Sequence, residues 1–176
     1  MIQSLNFRLG DSLPFTVIER WRNELALQPE NQRAREIRER MEDYLDAGHG
    51  ACWLARPEIA RLVENALLHF DSQRYHLLAW CVMPNHVHAL IETIAGFPLS
   101  DVLHSWKSFT SKEANKLLHR TGELWQREYL DRFIRNAEHY ENIVAYIEEN
   151  PVKAGLARLK TDWPWSSARV RLAGEC

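Results

Sequence analysis

Apolar and polar positions along the chain follow two alternating periods, and their order predicts strands interleaved with helices. Residues 2 to 9 read as a short edge strand. Asp11-Ser12-Leu13-Pro14 then opens a helix, a short polar cap with proline in the first turn, and Ile18, Trp21 and Leu25 repeat at helical spacing. After Pro29, the residues Ile37, Met41, Tyr44 and Leu45 mark the apolar stripe of a second helical stretch ending near Gly48, with the intervening Arg and Glu on its wet face. Pro57 opens a third helix, in which Ile59, Leu62, Val63, Ala66, Leu67 and Phe70 fall at i, i+3, i+4, i+7, i+8 and i+11.

The pattern then shortens. Tyr75 to Val82 is a nearly continuous apolar run, Met83-Pro84-Asn85 is turn chemistry, and His86 to Glu92 alternates again, so the two runs read as a hairpin. Ser100 starts another helix, and Thr110-Ser111-Lys112-Glu113 has the form of a capping box, which predicts a restart there and an end near Gly122. Leu124 to Ile134 reads as a strand with Trp125, Tyr129 and Phe133 on one face. Asn136 caps a final helix with the stripe Tyr140, Ile143, Val144 and Ile147, and Asn150-Pro151 ends it. The fold class expected is α+β, a central antiparallel sheet flanked by helices, with an additional helical region between the first and second strands.

With 176 residues, 45% hydrophobic and 26% charged, the chain suits one compact domain over residues 1–176. A chain this long needs neither disulfides nor a structural metal merely to fold. Cys52, Cys81 and Cys176 include no C-x-x-C pair, which argues against a disulfide framework or thiolate zinc site, and Cys81 within its apolar run is expected to pack. No apolar run approaches the ~18 residues of a membrane span, and the first residues lack the apolar core of a signal peptide, so the expected location is the cytoplasm with no membrane partner. The net charge of −2 sets aside the strong global field of a nonspecific nucleic-acid coater. Its distribution is uneven: residues 104–176 hold 12 Lys and Arg against 10 Asp and Glu, whereas residues 1–103 hold 10 against 14. All five lysines lie in the second part, which allows a local basic surface there, although a solvated helix face accounts for the bias as well.

Two groupings could carry chemistry. His86 and His88 are two residues apart on one strand, so both point to the same face with Cα atoms ~6.6 Å apart and could share one cation through neutral nitrogens. Taken alone, such a pair more often decorates a polar strand face. On the last helix, Asn142, Tyr146 and Asn150 form an arc beside Ile143 and Ile147, with Tyr146 and Asn150 stacked ~6 Å apart along the axis. Taken alone, this is a half-buried tyrosine beside a helix-ending asparagine.

The stretch Trp80-Cys81-Val82-Met83-Pro84-Asn85-His86-Val87-His88, then Leu124-Trp125-Gln126-Arg127, then Tyr146-Ile147-Glu148-Glu149-Asn150-Pro151-Val152-Lys153-Ala154-Gly155-Leu156 closely resembles the REP-associated tyrosine transposases, within the HUH single-tyrosine transposases. Phe7 to Pro14 and Trp106-Lys107-Ser108-Phe109-Thr110 extend the resemblance over nearly the whole chain. It implies a divalent cation, Mg or Mn, held by His86 and His88, with Asn150 matching the third, amide-oxygen ligand and Tyr146 the nucleophile. The implied substrate is single-stranded or hairpin DNA. The implied reaction is attack by Tyr146 on one phosphate, giving a 5′-phosphotyrosine and a free 3′ hydroxyl, and then transfer of the strand to another 3′ hydroxyl. Lys107, Arg127, Arg132, Arg135 and Lys153 are the candidate DNA-backbone contacts, with Trp106 or Tyr129 as stacking surfaces. Two other readings stay open: a DNA-binding host factor that recognises a repeated hairpin without cutting, and a metal-dependent phosphoesterase in which the His pair activates water.

Overall fold

The computed structural model describes residues 1–174 of the 176, so Cys176 lies outside the described residues. Strand β1 (Ile2–Arg8) leads through helices α1 (Phe15–Glu24), α2 (Glu30–Asp46) and α3 (Pro57–His69) to β2 (Tyr75–Val82) and β3 (His86–Thr93). Helix α4 (Leu99–Leu117), strand β4 (Leu130–Phe133), and helices α5 (Ala137–Lys153) and α6 (Ser167–Gly174) follow. The four strands form one fully antiparallel sheet in the order β2-β3-β1-β4. The architecture is α+β, as the pattern predicts.

Strand alternation divides the core. Leu5 and Phe7 of β1, Val87, Ala89 and Ile91 of β3, and Trp80 and Val82 of β2 join α3 and α4 in the main cluster. Ala79 and Cys81 of β2 and Leu90 of β3 face the other way, against Ile147 and the rest of the α5 stripe. A bulge between Leu77 and Ala79 switches the parity of β2, which is why its sequence reads as an unbroken apolar run. The α1–α2 hairpin carries a small cluster of its own, Leu13, Ile18, Trp21, Met41 and Leu45, with Leu130 of β4 packed against it.

Four expectations change. β1 is not an edge strand but lies between β3 and β4; the pairing that covers its second edge comes from residues 130–133, too remote in sequence to be foreseen. α4 is not restarted at Thr110, whose hydroxyl donates to the Trp106 carbonyl and accepts from Trp125 Nε1 at 2.8 Å, a buried role that leaves no cap. The predicted strand over 124–134 shrinks to Leu130–Phe133, with Trp125 forming an isolated bridge to Leu9 and packing edge-on to Phe7. α5 runs through Pro151 to Lys153, because the Pro151 carbonyl accepts from Leu156 and Ala157 N–H and Gly155 at φ +71° turns the chain back over the helix end. Asn150 is therefore held inside a regular turn rather than at a frayed end. The Asn136 cap forms as expected, its Oδ1 accepting from His139 N–H. The segment after α5 closes over β2, where Trp163 Nε1 donates to the Val82 carbonyl and Val82 N–H donates to the Trp165 carbonyl.

Candidate active site

The alternation of β3 sends His86 and His88 to the α5 side of the sheet, and the β1 register, Arg8 opposite His86 and Asn6 opposite His88, brings two more polar side chains to that face. Both imidazoles are buried, with their Nε2 atoms 2.9 Å apart and their rings nearly perpendicular. Asn85 fixes the tautomer of the first. Its amide nitrogen donates to the carbonyls of Leu45 at 3.1 Å and His49 at 2.9 Å, which leaves its oxygen to accept from His86 Nδ1 at 2.7 Å. His86 Nε2 is then an unprotonated nitrogen directed into the site. Burial, helped by His88 and Arg8, holds the His86 pKa well below the usual imidazole range, and burial with nearby Lys153 lowers that of His88 to about 3. Both rings are neutral at physiological pH.

Helix α5 supplies the second set. Asn150 Nδ2 lies 3.1 Å from His88 Nε2, and its Oδ1 is buried with no partner. One turn earlier, the Tyr146 ring stands edge-on to His88 at 5.5 Å between centroids, and its hydroxyl is also buried and unpartnered. Burial, then the negative charges of Glu42 and Asp46, push the phenol pKa above its ordinary value. A third set comes from α2, whose charged residues look in sequence like a solvated face. Arg38 and Glu42 line a narrow cleft together with Asn6, His88, Arg132 and Tyr146. Asp46, one turn beyond Glu42, places Oδ1 3.8 Å from His86 Nε2 and Oδ2 3.5 Å from Lys153 Nζ.

Buried polar atoms without partners are costly, and among the described residues seven of the ten found gather in one place. Asn6 Oδ1 and Nδ2, Arg8 Nε, both oxygens of Asp46, the Tyr146 hydroxyl and Asn150 Oδ1 all lack a partner and all belong to this face of the sheet. The arrangement fits a divalent cation: two neutral imidazole nitrogens a ligand-to-ligand distance apart, with an unsatisfied amide oxygen beside them. Among the described residues, no three His, Cys, Asp or Glu side chains are placed to hold one metal ion.

The candidate DNA contacts separate. Lys153 joins the site, its ammonium 5.9 Å from the centre of the Tyr146 ring. Arg132 lines the narrow cleft, and with Arg135 it borders a groove at the start of α5. Arg127 is exposed and borders neither. Lys107 Nζ donates to the carbonyls of Gln126 and Arg127, and burial, with Arg8 adding, lowers its pKa to about 8. Trp106 cannot stack on a base: it is 2% exposed and its indole N–H donates to the Tyr75 hydroxyl, whereas Tyr129 is partly exposed. Beside the site lies a larger cleft of about 880 Å³ whose walls include Arg8, Arg22, Arg33 and Arg38 with Phe15 and Tyr129. The periodicity of α2 presents Arg33 and Arg38 only as part of a wet face.

The chain is similar to known proteins. The family described as transposase, IS200-like, matches residues 56–150, just over half of the chain. The chain is 28% identical over 110 residues to a REP-associated tyrosine transposase of Escherichia coli (strain K12), a match covering 61% of this chain and 63% of that protein. It is also 28% identical over 107 residues to a Haemophilus influenzae relative, covering 58% of it, so the chain spans about three fifths of the length of the curated relatives it matches. A solved structure described as a REP-associated tyrosine transposase bound to a REP hairpin superposes with a TM-score of 0.59 at 19% identity, covering 98% of this chain and 79% of that one, and so shares the fold. Among the described residues, no helix is long and apolar enough to cross a membrane.

Proposed function

We propose, from the premise that the chain belongs to the IS200-like transposase family, that it cuts and rejoins single-stranded or hairpin DNA, with Tyr146 as nucleophile and a divalent cation, Mg or Mn, held by His86, His88 and Asn150. The observation that carries this reading is the convergence of unpartnered buried polar atoms from β1, α2 and α5 on the two imidazoles. A fold does not keep so many unsatisfied groups together for stability, and a phosphate with its cation would satisfy them.

Each side chain then has a task. His86 and His88, both neutral, offer ligand atoms without adding charge, and Asn85 leaves Nε2 of His86 unprotonated. When bound, the cation supplies Lewis-acid polarisation of a nonbridging phosphate oxygen. Tyr146 sits on a regular helix, so its oxygen approaches from a fixed direction. Its raised pKa means that the phenol is protonated before attack, and the proton must leave as the bond to phosphorus forms. Glu42, which faces Tyr146 across the narrow cleft and whose own pKa is raised by burial, is the carboxylate suited to receive it. The phosphorus–O3′ bond breaks as the Tyr146 oxygen–phosphorus bond forms, giving a 5′-phosphotyrosine and a 3′ hydroxyl, and a second 3′ hydroxyl reverses the step on a new strand. Arg8, Arg38 and Arg132, on the walls of the two adjoining clefts, are suited to backbone phosphates, and Phe15 and Tyr129 to unpaired bases.

The test is cleavage of an end-labelled hairpin oligonucleotide with Mg or Mn. The parent should cut, and the double variant His86→Ala/His88→Ala, folded because its apolar core is intact, should not. Full activity of that variant, or of the parent in EDTA, would refute the metal role. Binding without cutting by the parent under every metal would favour the host-factor reading, and cutting with no protein–DNA adduct would favour the phosphoesterase.

A further inference from the structure

Asn6 breaks two local rules at once. Asparagine is poorly suited to strand interiors, yet this one sits on β1 between β3 and β4, opposite His88 on one side and Leu130 on the other. Its side chain is 7% exposed, and both its amide nitrogen and its amide oxygen are buried with no hydrogen-bond partner among the described residues. An amide in that state costs stability, and an apolar side chain in its place would not. The strand alternation that sends Leu5 and Phe7 into the main core turns Asn6 to the α5 side. There it lines the narrow cleft, a space of about 60 Å³, together with His88, Tyr146, Glu42, Arg38 and Arg132. A residue that weakens the fold at the point where the nucleophile and a histidine meet is kept for what it does there.

Attack by Tyr146 on a phosphate builds negative charge on two nonbridging oxygens. One of them is assigned above to the cation, and the other needs a donor already in place when the charge develops. Arg132 is exposed and Arg38 is half-buried, and both are long side chains that lose rotamer freedom when a strand orders them. Asn6 is short, buried and carried on a strand paired along both edges, so its amide is fixed beside His88 before any substrate arrives. Its Nδ2 carries two N–H donors and adds no charge. We propose that Asn6 donates through Nδ2 to the second nonbridging oxygen of the phosphate that Tyr146 attacks, and so speeds both cleavage and rejoining. This rests on the reading of Tyr146 as nucleophile given above. The amide gives up no proton, and the bonds that form and break are those already described. Because rejoining on a 3′ hydroxyl passes through the same charged phosphorus, one donor serves both directions.

The experiment is single-turnover cleavage of a hairpin oligonucleotide by the full chain with Mn²⁺, on the parent, Asn6→Ala, Asn6→Ser and Tyr146→Phe. Asn6→Ala should cleave about 10²-fold more slowly. It should bind the hairpin within about twofold of the parent, because the contact tightens only as charge develops. It should melt no lower, since no hydrogen bond within the chain is lost. Asn6→Ser keeps a short donor and should recover part of the rate. Sulfur is then placed at one or the other nonbridging position of the phosphate that the parent cuts. Sulfur accepts N–H bonds weakly, so one stereoisomer should slow the parent and slow Asn6→Ala no further, while the other slows both alike. Sulfur effects that multiply with Asn6→Ala in both stereoisomers would overturn the contact, as would a rate that falls only in step with Tm. A parent-like rate in Asn6→Ala, with no cleavage by Tyr146→Phe, would overturn the Asn6 assignment and leave the tyrosine reading standing. No cleavage by the parent would overturn both.

Discussion

Replacing Asn85 should damage stability and metal affinity by separable amounts, because its side chain makes three bonds that do different things. The residue is fully buried; its Nδ2 donates to the Leu45 and His49 carbonyls, and its Oδ1 accepts from His86 Nδ1. Asn85→Ala strands the Leu45 carbonyl and the His86 N–H in the interior, while the His49 carbonyl, near the surface, can turn to water. With about 1 to 1.5 kcal/mol for each buried group and less for the third, the loss is about 3 kcal/mol, or roughly 6–12 °C in Tm for a chain of this size. The freed His86 can also take the wrong tautomer, so Mn²⁺ affinity should fall by about 10- to 100-fold. Asn85→Asp separates the two effects: it keeps an acceptor for His86 but sets a carboxylate against two carbonyls, so it should melt at least as low while keeping most of the metal affinity. Thermal unfolding by circular dichroism and calorimetric Mn²⁺ titration measure both. A Tm for Asn85→Ala within about 2 °C of the parent, or equal metal affinities for the Ala and Asp variants, would refute the reasoning.

Glu148 on α5 accepts from Ser167 Oγ at 2.9 Å, Arg171 Nε at 2.7 Å and Lys160 Nζ at 3.3 Å, and so ties the C-terminal segment to the domain. Burial works to raise its pKa, but Arg171, Ser167 and Lys160 outweigh it and hold the carboxyl below the usual range. That stability is present above the unfolded pKa of about 4.3 and is lost as pH falls through the folded value. Glu148→Gln should therefore melt lower than the parent at pH 7, and the two should converge in acid; a gap that persists to pH 2 would contradict this. If a strand follows the arginine-lined clefts, log K for single-stranded DNA should fall with log salt by ~0.7 per phosphate contacted. Arg38→Gln and Arg132→Gln should each lower that slope by about one contact in fluorescence anisotropy, whereas Lys107→Gln should not, since its ammonium is spent on two carbonyls.

What the chain's pattern made legible is what local periodicity determines. The stripe of α3, the β2–β3 hairpin and the α5 stripe emerge because each element buries one face, and the shared face of His86 and His88 follows from strand alternation alone. The central place of β1 depends on pairing with residues 130–133, and no local signal carries that. The Thr110 segment imitates a capping box because the same side chains that cap a helix can also bond back within one, and only the burial of Trp125 against Thr110 decides between them. Glu42 and Asp46 escaped notice because charges at i, i+4 spacing on a helix rich in Arg and Glu look like its wet face, and only the tertiary placement of α2 over the sheet turns that face inward. In the sequence Arg8 is only one residue of a short strand, and it takes the β1–β3 register to set it beside His86. Asn85 was read as turn chemistry, which it is, but its amide also links α2 to the first histidine.

The central claim is that the Tyr146 oxygen becomes covalently attached to DNA, and Tyr146→Phe tests it by removing that one atom. The hydroxyl has no hydrogen-bond partner among the described residues and the ring remains, so folding should hardly change. Parent and variant are incubated with a 3′-labelled hairpin oligonucleotide and Mn²⁺, and the products are separated on a denaturing gel. The parent should give a labelled protein–DNA adduct that mass spectrometry maps to Tyr146, while the variant binds the hairpin about as well and gives none. An adduct that survives in the variant and maps to another residue, such as Tyr140 or Tyr129, would contradict the account.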